Sequence, residues 1–270
     1  MVNNWIPPLG LGFLATTLQI LLIREFSAHF YGNEISFGLV LGSWLLWGGL
    51  GSIVAGKIKY SRNRALHLFG MTVSFFLICL LCLRFSRFFL GTLPGEMTGA
   101  TAILTFSLVL TFFVSLPLGI LFVFNVHLYE ENLPLVYLLE SAGASAAGVV
   151  LYFAFIPNLS NWQTAALAGS MVFLLVFLSL GIRKGTWSLI PLVILFAGFF
   201  FLDVPLQRIS WKPFHLIQSK DSRYGKLQVI RTADQISLYD NNVAVYSYPD
   251  PASSEESVHF ALLQHPDAKK

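Results

Sequence analysis

Residues 37–57 of the chain read FGLVLGSWLLWGGLGSIVAGK and carry no charged side chain before Lys57. A helix needs roughly 20 mainly apolar residues to cross the hydrocarbon core of a bilayer, so this stretch is long enough. Small residues lie four positions apart in two groups: Gly38 and Gly42, and then Gly48, Ser52 and Gly56. Such a face lets a second membrane helix approach closely. We interpret it as a packing face; helices that slide, as in a transporter core, are the alternative.

The composition of the whole chain agrees with a membrane location. Of its 270 residues 55% are hydrophobic and only 11% are charged, and the mean hydropathy is +0.68. Soluble domains carry about a quarter charged residues. The net charge of +3 is small and the basic residues are dispersed, which argues against nucleic-acid binding, since that usually requires a basic patch or stripe.

The pattern of apolar runs predicts an α-helical membrane protein with about seven transmembrane helices, because helices are the default backbone structure in lipid. The predicted spans are 5–23, 36–56, 65–83, 100–124, 135–156, 162–182 and 187–204. They make residues 1–204 a multi-pass domain. The basic residues near the span ends divide almost evenly between the two sides, so the positive-inside rule does not fix the orientation.

Polar residues inside the apolar runs are the first candidates for function. Glu140 precedes a second small-residue run, SAGASAAG, within the fifth span. An ionisable group inside a membrane is costly and usually faces a partner or a cavity. Glu140 is therefore a candidate intramembrane site, with a position near the helix boundary as the alternative. Arg24 and Glu25, at the end of the first span, are predicted to form a boundary ion pair.

The composition changes after the seventh span. Residues 205–222 are expected to be an interfacial connector, with Trp211 at the headgroup level. Residues 223–270 show three β-alternating runs at 226–231, 235–239 and 243–248, with Asn241-Asn242 suited to a tight turn. Ser253 and Glu256 predict a capping box that opens a helix ending before Pro266. A unit of this size buries too little surface to be stable without a partner.

The tail resembles the N-terminal β-domain of spermidine synthases, the polyamine aminopropyltransferases. The resemblance rests on YGKLQVIRT, SLYDNNVAVYS and EESVHFALLQHP, while LWGGLGSIVAGK and VYLLESAGASAAG are similar to helices of membrane-embedded spermidine synthase-like proteins. It implies that His259 and Glu255 contact a polyamine substrate. Two positions depart from the family pattern: Val258 stands where a tyrosine is usual, and Gly225 stands where a glutamine contacts the nucleoside.

The resemblance also implies a nucleotide-binding domain that these residues do not supply. Residues 223–270 contain no G-x-G pattern, no later acidic residue for the ribose and no aspartate as general base. We therefore expect the N-terminal portion of such a protein, either a truncated product or a split one, that is catalytically incomplete alone and holds no cofactor. Its expected partners are the lipid bilayer, a synthase domain supplied in trans, and a second copy of the chain. A cell-membrane location with a cytoplasmic tail is expected. The alternative is a membrane transporter or partner protein with a vestigial or docking tail.

Overall fold

The structure is a computed structural model that describes residues 5–93, 95–96, 98–180 and 189–264. Most of these residues are helical. The helices are α1 Ile6–Phe30, α2 Glu34–Ala55, α3 Arg62–Arg84, α4 Ser86–Leu90, α5 Ala100–Leu128, α6 Leu133–Val150, α7 Ile156–Asn158, α8 Asn161–Leu180, α9 Leu189–Ser210 and α10 Pro251–Leu263. A π-helical turn, Leu151–Phe155, joins α6 to α7.

Six helical segments in the described part of the chain are long and apolar enough to cross a membrane: α1, α2, α3, α5, the continuous stretch α6–α7, and α8. They match the first six predicted spans, and they are compatible with a membrane protein. The seventh predicted span overlaps α9, but its residues 187–188 lie outside the described residues. A seventh crossing therefore stays a prediction.

The bundle is built around α1. This helix packs against α3, α5, α6 and α8, and its leucines from Leu11 to Leu22 and Phe26 are almost completely buried. α2 packs chiefly against α5, and α6 chiefly against α1. Asparagine side chains cap the N-termini of α2 and α6. The Asn33 carboxamide oxygen accepts from the backbone N–H of Ser36, and the Asn132 carboxamide oxygen accepts from the backbone N–H of Leu135. Each satisfies a donor that a helix N-terminus leaves unpaired.

Glycines set the closest helix contacts. A Cβ on Gly51 would overlap the carbonyl of Leu116, and one on Gly119 would overlap the carbonyl of Gly48, so α2 and α5 touch backbone to backbone. Gly143 of α6 meets the carbonyl of Leu9 of α1 in the same way. The packing interpretation of both small-residue runs is confirmed at these positions. Gly38 and Gly42 instead face open space.

The tail forms a four-stranded antiparallel sheet in the order β1-β2-β3-β4. Its strands are β1 His215–Asp221, β2 Lys226–Thr232, β3 Gln235–Asp240 and β4 Val243–Tyr248. The last three match the predicted runs closely. In β2 the buried positions are Lys226, Gln228 and Ile230, so the inner face of this strand is largely polar.

Residues 205–222, predicted to be an interfacial connector, contain regular secondary structure, and their position relative to a membrane stays a prediction. Residues 205–210 continue α9, which contains Pro205 in its interior, and residues 215–221 form β1, which pairs with β2. β1 was missed because Leu216 is its only buried residue, so its sequence lacks the apolar alternation that identifies a strand. Trp211 is buried against Leu216 and Ile230, and its predicted place at the headgroup level stays a prediction.

The predicted N-cap of the last helix, Ser253, is wrong. α10 begins at Pro251, and Asp250 is its N-cap, with a carboxylate oxygen accepting from the backbone N–H of Ser253 at 3.1 Å. A proline is favourable in the first turn because its missing N–H would be unpaired there anyway. The described part of α10 ends at Leu263, and its end relative to Pro266 lies outside the described residues.

Candidate functional site

The predicted site residues occupy two separate elements. Glu255 and His259 lie one turn apart on α10, and both side chains are exposed. Glu140 is half-buried on α6, where its backbone carbonyl faces Gly12 of α1. The Glu140 carboxylate makes no hydrogen bond or ion pair with another described residue. Their roles in binding a substrate or solute stay predictions.

A buried ion pair joins the bundle to the sheet. Glu25, near the end of α1, is 0% exposed, and Lys226, the first residue of β2, is 4% exposed. The Glu25 Oε1 atom accepts from Lys226 Nζ and from Asn161 Nδ2, both at 2.9 Å. His29, one turn later on α1, has its Nδ1 atom 3.8 Å from Glu25 Oε2. Side chains from α1, α8 and β2 therefore meet at one point. Together with Asp221 of β1, the residues Glu25, His29, Asn161 and Lys226 form a charge cluster.

The predicted pair between Arg24 and Glu25 is wrong. Successive side chains on an α-helix point about 100° apart, since the helix has 3.6 residues per turn. Arg24 therefore points elsewhere: its Nε donates to Asn161 Oδ1 at 2.9 Å, and its terminal nitrogens donate to the carbonyls of Ser222 (2.6 Å) and Arg223 (3.2 Å). Arg24 holds the turn between β1 and β2, while Glu25 holds β2 itself.

A second ion pair closes the same end of the bundle. Arg84, the last residue of α3, donates to Asp203 Oδ1 of α9 at 2.5 Å and to the Asp203 carbonyl at 3.1 Å. Gln207 donates to the same carboxylate at 3.1 Å. The Arg84 guanidinium lies 3.8 Å from the ring centroid of Trp162 on α8. This contact combines charge neutralisation with a cation–π interaction.

The loop after α3 makes a third connection. The guanidinium of Arg87, in α4, lies 4.4 Å from the ring centroid of Trp211 and donates to the carboxamide oxygen of Asn242 in the β3–β4 turn. Tyr31 donates to the carbonyl of Gly95 in the following loop. The sheet is thus held at the β2 start, at the β1–β2 turn and at the β3–β4 turn.

The electrostatics of the cluster keep Lys226 charged. Burial alone would lower the pKa of the Lys226 ammonium, but the nearby carboxylates of Asp221 and Glu25 outweigh burial and raise it above its usual value. Burial raises the pKa of the Asp221 carboxyl, whose Oδ1 lies 3.7 Å from Lys226 Nζ, above its usual value. A buried charge without partners costs several kcal/mol, so removing one member of this cluster exposes the others to that cost.

The cluster is suited to holding two parts together. Glu25 accepts from Lys226 and Asn161, and Asp221 lies 3.7 Å from Lys226. The described residues contain no group of three or more His, Cys, Asp or Glu that could hold a metal ion. Sequence reasoning missed it because Glu25 and Lys226 are 201 positions apart. The available signals were a glutamate at the end of an apolar helix and a lysine at the start of a strand.

The opposite side of the sheet is open. A groove of about 610 Å³ lies between β4 and α10, bordered by polar groups of Asp250 and Ser253. Apolar side chains are exposed on both elements: Val245 (61%) and Tyr246 (62%) on β4, and Val258 (52%) on α10. Apolar surface rimmed by polar groups is typical of a protein interaction site.

The class that these observations define is a helical bundle compatible with a membrane, with a small antiparallel sheet attached to one end by a buried ion pair and by hydrogen bonds from arginine side chains. Comparisons of the chain with protein-family models, with curated proteins and with solved structures found no match.

Proposed function

We propose that the chain is the membrane-embedded part of a spermidine synthase-like aminopropyltransferase. In this proposal the bundle holds a β-domain at the cytoplasmic membrane surface, and the β-domain covers a nucleotide-binding domain that these residues do not contain. The observation that carries the proposal is the difference between the two ends of the tail. β2 is fixed to the bundle through the ion pair of Lys226 and Glu25, whereas β4 and α10 expose apolar side chains.

The exposed side supports a protein domain as the partner. Tyr246 and Tyr248 on β4 and Leu262 on α10 are each more than half exposed. Aromatic side chains supply much of the contact energy of protein interfaces because they bury a large area at small entropic cost. A rigid attachment on the other side lowers the entropy that docking would cost, since the sheet is already held in place.

The chemistry proposed for the assembled protein is aminopropyl transfer. The amine nitrogen attacks the propyl carbon next to the sulfonium sulfur of a decarboxylated S-adenosylmethionine-type donor. The carbon–sulfur bond breaks, the sulfur leaves as a neutral thioether, and a general base on the docked domain takes the proton. Glu255 would attract the ammonium groups of the polyamine, and His259 would bind it one turn further along α10. Gly225 and Val258, where the family pattern differs, favour an amine or a donor contact other than the usual one.

The proposal is tested first on the DNA and then in vitro. The DNA that follows the Lys270 codon should encode, in frame or after a frameshift, a strand followed by a glycine-rich loop, and unrelated sequence there would contradict the proposal. That domain, produced separately, is then mixed with the full chain in lipid nanodiscs. Release of the thioether product should require both components.

Variants separate docking from substrate binding. Val258→Glu should abolish capture of the nucleotide-binding domain, because it places a charge in the apolar contact. The matched control is Thr232→Glu, which adds the same charge at an exposed position of β2. His259→Ala should raise the KM for the amine and leave docking unchanged. Equal docking by wild type and Val258→Glu would refute the proposed interface.

The transporter alternative has less support. The glycine faces that suggested sliding helices are occupied by backbone contacts at Gly51, Gly119 and Gly143. Glu140 is then the remaining feature that favours a transport path.

A further inference from the structure

An apolar groove lies on the outer side of the bundle, along α3 and beside α8. Its volume is about 220 Å³, which is less than the roughly 300–1,000 Å³ of a typical small-molecule pocket. A stripe of α3 side chains at helical spacing lines it together with one aromatic ring of α8: His67, Met71, Ser74, Phe75, Ile78 and Phe173. A narrow groove of this kind suits a single extended chain better than a compact solute.

A glycine forms the floor of the groove. Gly70 has no side chain to fill it, and a Cβ placed there would lie 3.1 Å from a ring carbon of Phe173. Met71 and Ile78, each 47% exposed, form the open edge. The Ser74 hydroxyl donates to the Gly70 carbonyl at 2.9 Å, so its hydrogen-bond donor is already satisfied within α3. The middle of the groove therefore offers apolar contacts.

The length of the groove matches the depth of one membrane leaflet. His67 and Ile78 lie near its two ends, three helical turns or roughly 16 Å apart along α3. The hydrocarbon core of a bilayer is about 30 Å thick, so one leaflet supplies about half of this depth. Both α3 and α8 are long and apolar enough to cross a membrane. A lipid acyl chain aligned with α3 would therefore occupy the groove and place its headgroup at the His67 end.

Positive charge is concentrated beyond the His67 end of the groove. We call the four exposed basic residues there the basic loop: Lys57, Lys59, Arg62 and Arg64. Arg64 lies three positions before His67, so these two side chains are neighbours on the surface of α3. The Arg64 guanidinium donates to the Lys59 carbonyl at 2.7 Å, which connects the first turn of α3 to the loop before it.

Few acidic side chains offset this charge. The chain contains no aspartate or glutamate between Glu34 and Glu96. Glu130 and Glu131 follow α5, whose last turn meets the α2–α3 loop where the rings of Tyr60 and His127 stack. None of the four members of the basic loop forms an ion pair with a carboxylate of the described residues. The charge beside the groove is therefore complementary to an anionic headgroup.

We propose that the groove and the basic loop together bind one anionic glycerophospholipid. One acyl chain lies in the groove between α3 and α8, and the phosphate lies at Arg64 and the other residues of the basic loop. The groove selects an acyl chain and the basic loop selects a negative headgroup, so a free phosphate or a neutral lipid would satisfy only one of them. The inference requires a chain embedded in a membrane and is independent of the proposed transferase role.

Native mass spectrometry of the full chain released from nanodiscs is the first test. The nanodiscs contain equal amounts of phosphatidylglycerol, which is anionic, and phosphatidylcholine, which is zwitterionic, with the same acyl chains. The released chain should retain one phosphatidylglycerol, and added inorganic phosphate should not displace it. Equal retention of the two lipids would mean general contact with lipid and would overturn the proposal. Displacement by phosphate, or a dimer of the chain without lipid, would overturn it as well.

A charge variant tests the headgroup site. Arg62→Gln combined with Arg64→Gln should lower the preference for phosphatidylglycerol roughly 30-fold, because each basic residue near a membrane surface adds about 1 kcal/mol of attraction to anionic lipid. The matched control is Arg208→Gln combined with Lys220→Gln, which removes two exposed charges at the sheet end and should keep the preference. An equal preference in both double variants would contradict the role of the basic loop.

A second variant tests the acyl-chain site. Ser74→Leu should abolish retention of the lipid, because the leucine side chain fills the groove. The matched control is Ser145→Leu on α6, since Ser145 is exposed and its hydroxyl donates to the carbonyl four positions earlier, as that of Ser74 does. Equal retention of lipid by these two variants would refute the groove as the binding site. The wild-type comparison of the two lipids decides the question even if a variant fails to fold.

Discussion

Replacing Lys226 with methionine keeps most of the length of the side chain and removes its charge. The ammonium lies 2.9 Å from Glu25 Oε1 and 3.7 Å from Asp221 Oδ1, and the Lys226 and Glu25 side chains are almost completely buried. Removing one partner of such a pair costs about 3–5 kcal/mol, because the remaining charge stays buried without compensation. We expect the free energy that holds the sheet against the bundle to fall by this amount.

The assay is hydrogen exchange of the β2 amides in the full chain in nanodiscs. Each 1.4 kcal/mol corresponds to about a tenfold change in a population, so exchange through opening of the sheet should accelerate roughly 100- to 4,000-fold. Lys220→Met is the matched control, since Lys220 is an exposed lysine on β1; it should leave β2 exchange unchanged.

A double variant checks the cause. Lys226→Met combined with Glu25→Gln removes both charges, and replacing a buried pair by neutral groups is often close to neutral. The double variant should therefore regain most of the protection that the single variant loses. Unchanged exchange in Lys226→Met, or a double variant as labile as the single one, would refute the reasoning.

Three further outcomes are expected. Gly119→Ala should lower the Tm by about 3–10 °C, because the new methyl group would overlap the backbone of α2 at a cost of about 1–3 kcal/mol. The control Gly42→Ala, which places a methyl group in open space, should not lower the Tm. Equal effects of the two variants would contradict the close contact. Since burial raises the pKa of Asp221 above 3.8, the folded state binds its proton more tightly, and this carboxyl lowers stability as the pH rises above about 4. Because Asp221→Asn lacks this titration, it should lose less stability than wild type as the pH rises from about 4 to neutral, measured by unfolding at each pH, and a parallel pH profile would contradict this. Glu140→Gln should leave polyamine uptake into proteoliposomes unchanged; altered uptake would favour the transporter alternative.

The helices were largely predictable from the sequence because each depends on a local property. A run of about 20 apolar residues must pair its own backbone groups in lipid, so its length and composition are sufficient. The small-residue faces were predictable for a similar reason, although the chain alone could not show that Gly51 packs on α5 while Gly42 faces outwards.

The charge cluster was not predictable because it depends on distant partners. Apolar alternation in β2 would place Leu227 and Val229 inside, yet Lys226 and Gln228 are the buried positions. The bundle end that β2 covers is polar, and its polarity comes from Glu25, Asn161 and Arg84, residues on three different helices. A local hydrophobic pattern indicates only which side chains avoid water. In β2 the buried face is instead determined by charge complementarity with residues far away in the chain.

The sequence separation between Glu25 and Lys226 has a consequence for biosynthesis. The chain is made from its N-terminus at roughly 5–20 residues per second, so the 201 positions that separate the two residues take about 10–40 s to synthesise. The first helix is therefore available for insertion well before the lysine that neutralises its glutamate exists. During that interval Glu25 must remain at the lipid–water boundary or bind a proton, and Asn161 is the earlier of its two hydrogen-bond donors to be made. Attachment of the sheet therefore follows insertion of the first helix, and at that step the newly made β2 strand meets a surface that is already in place.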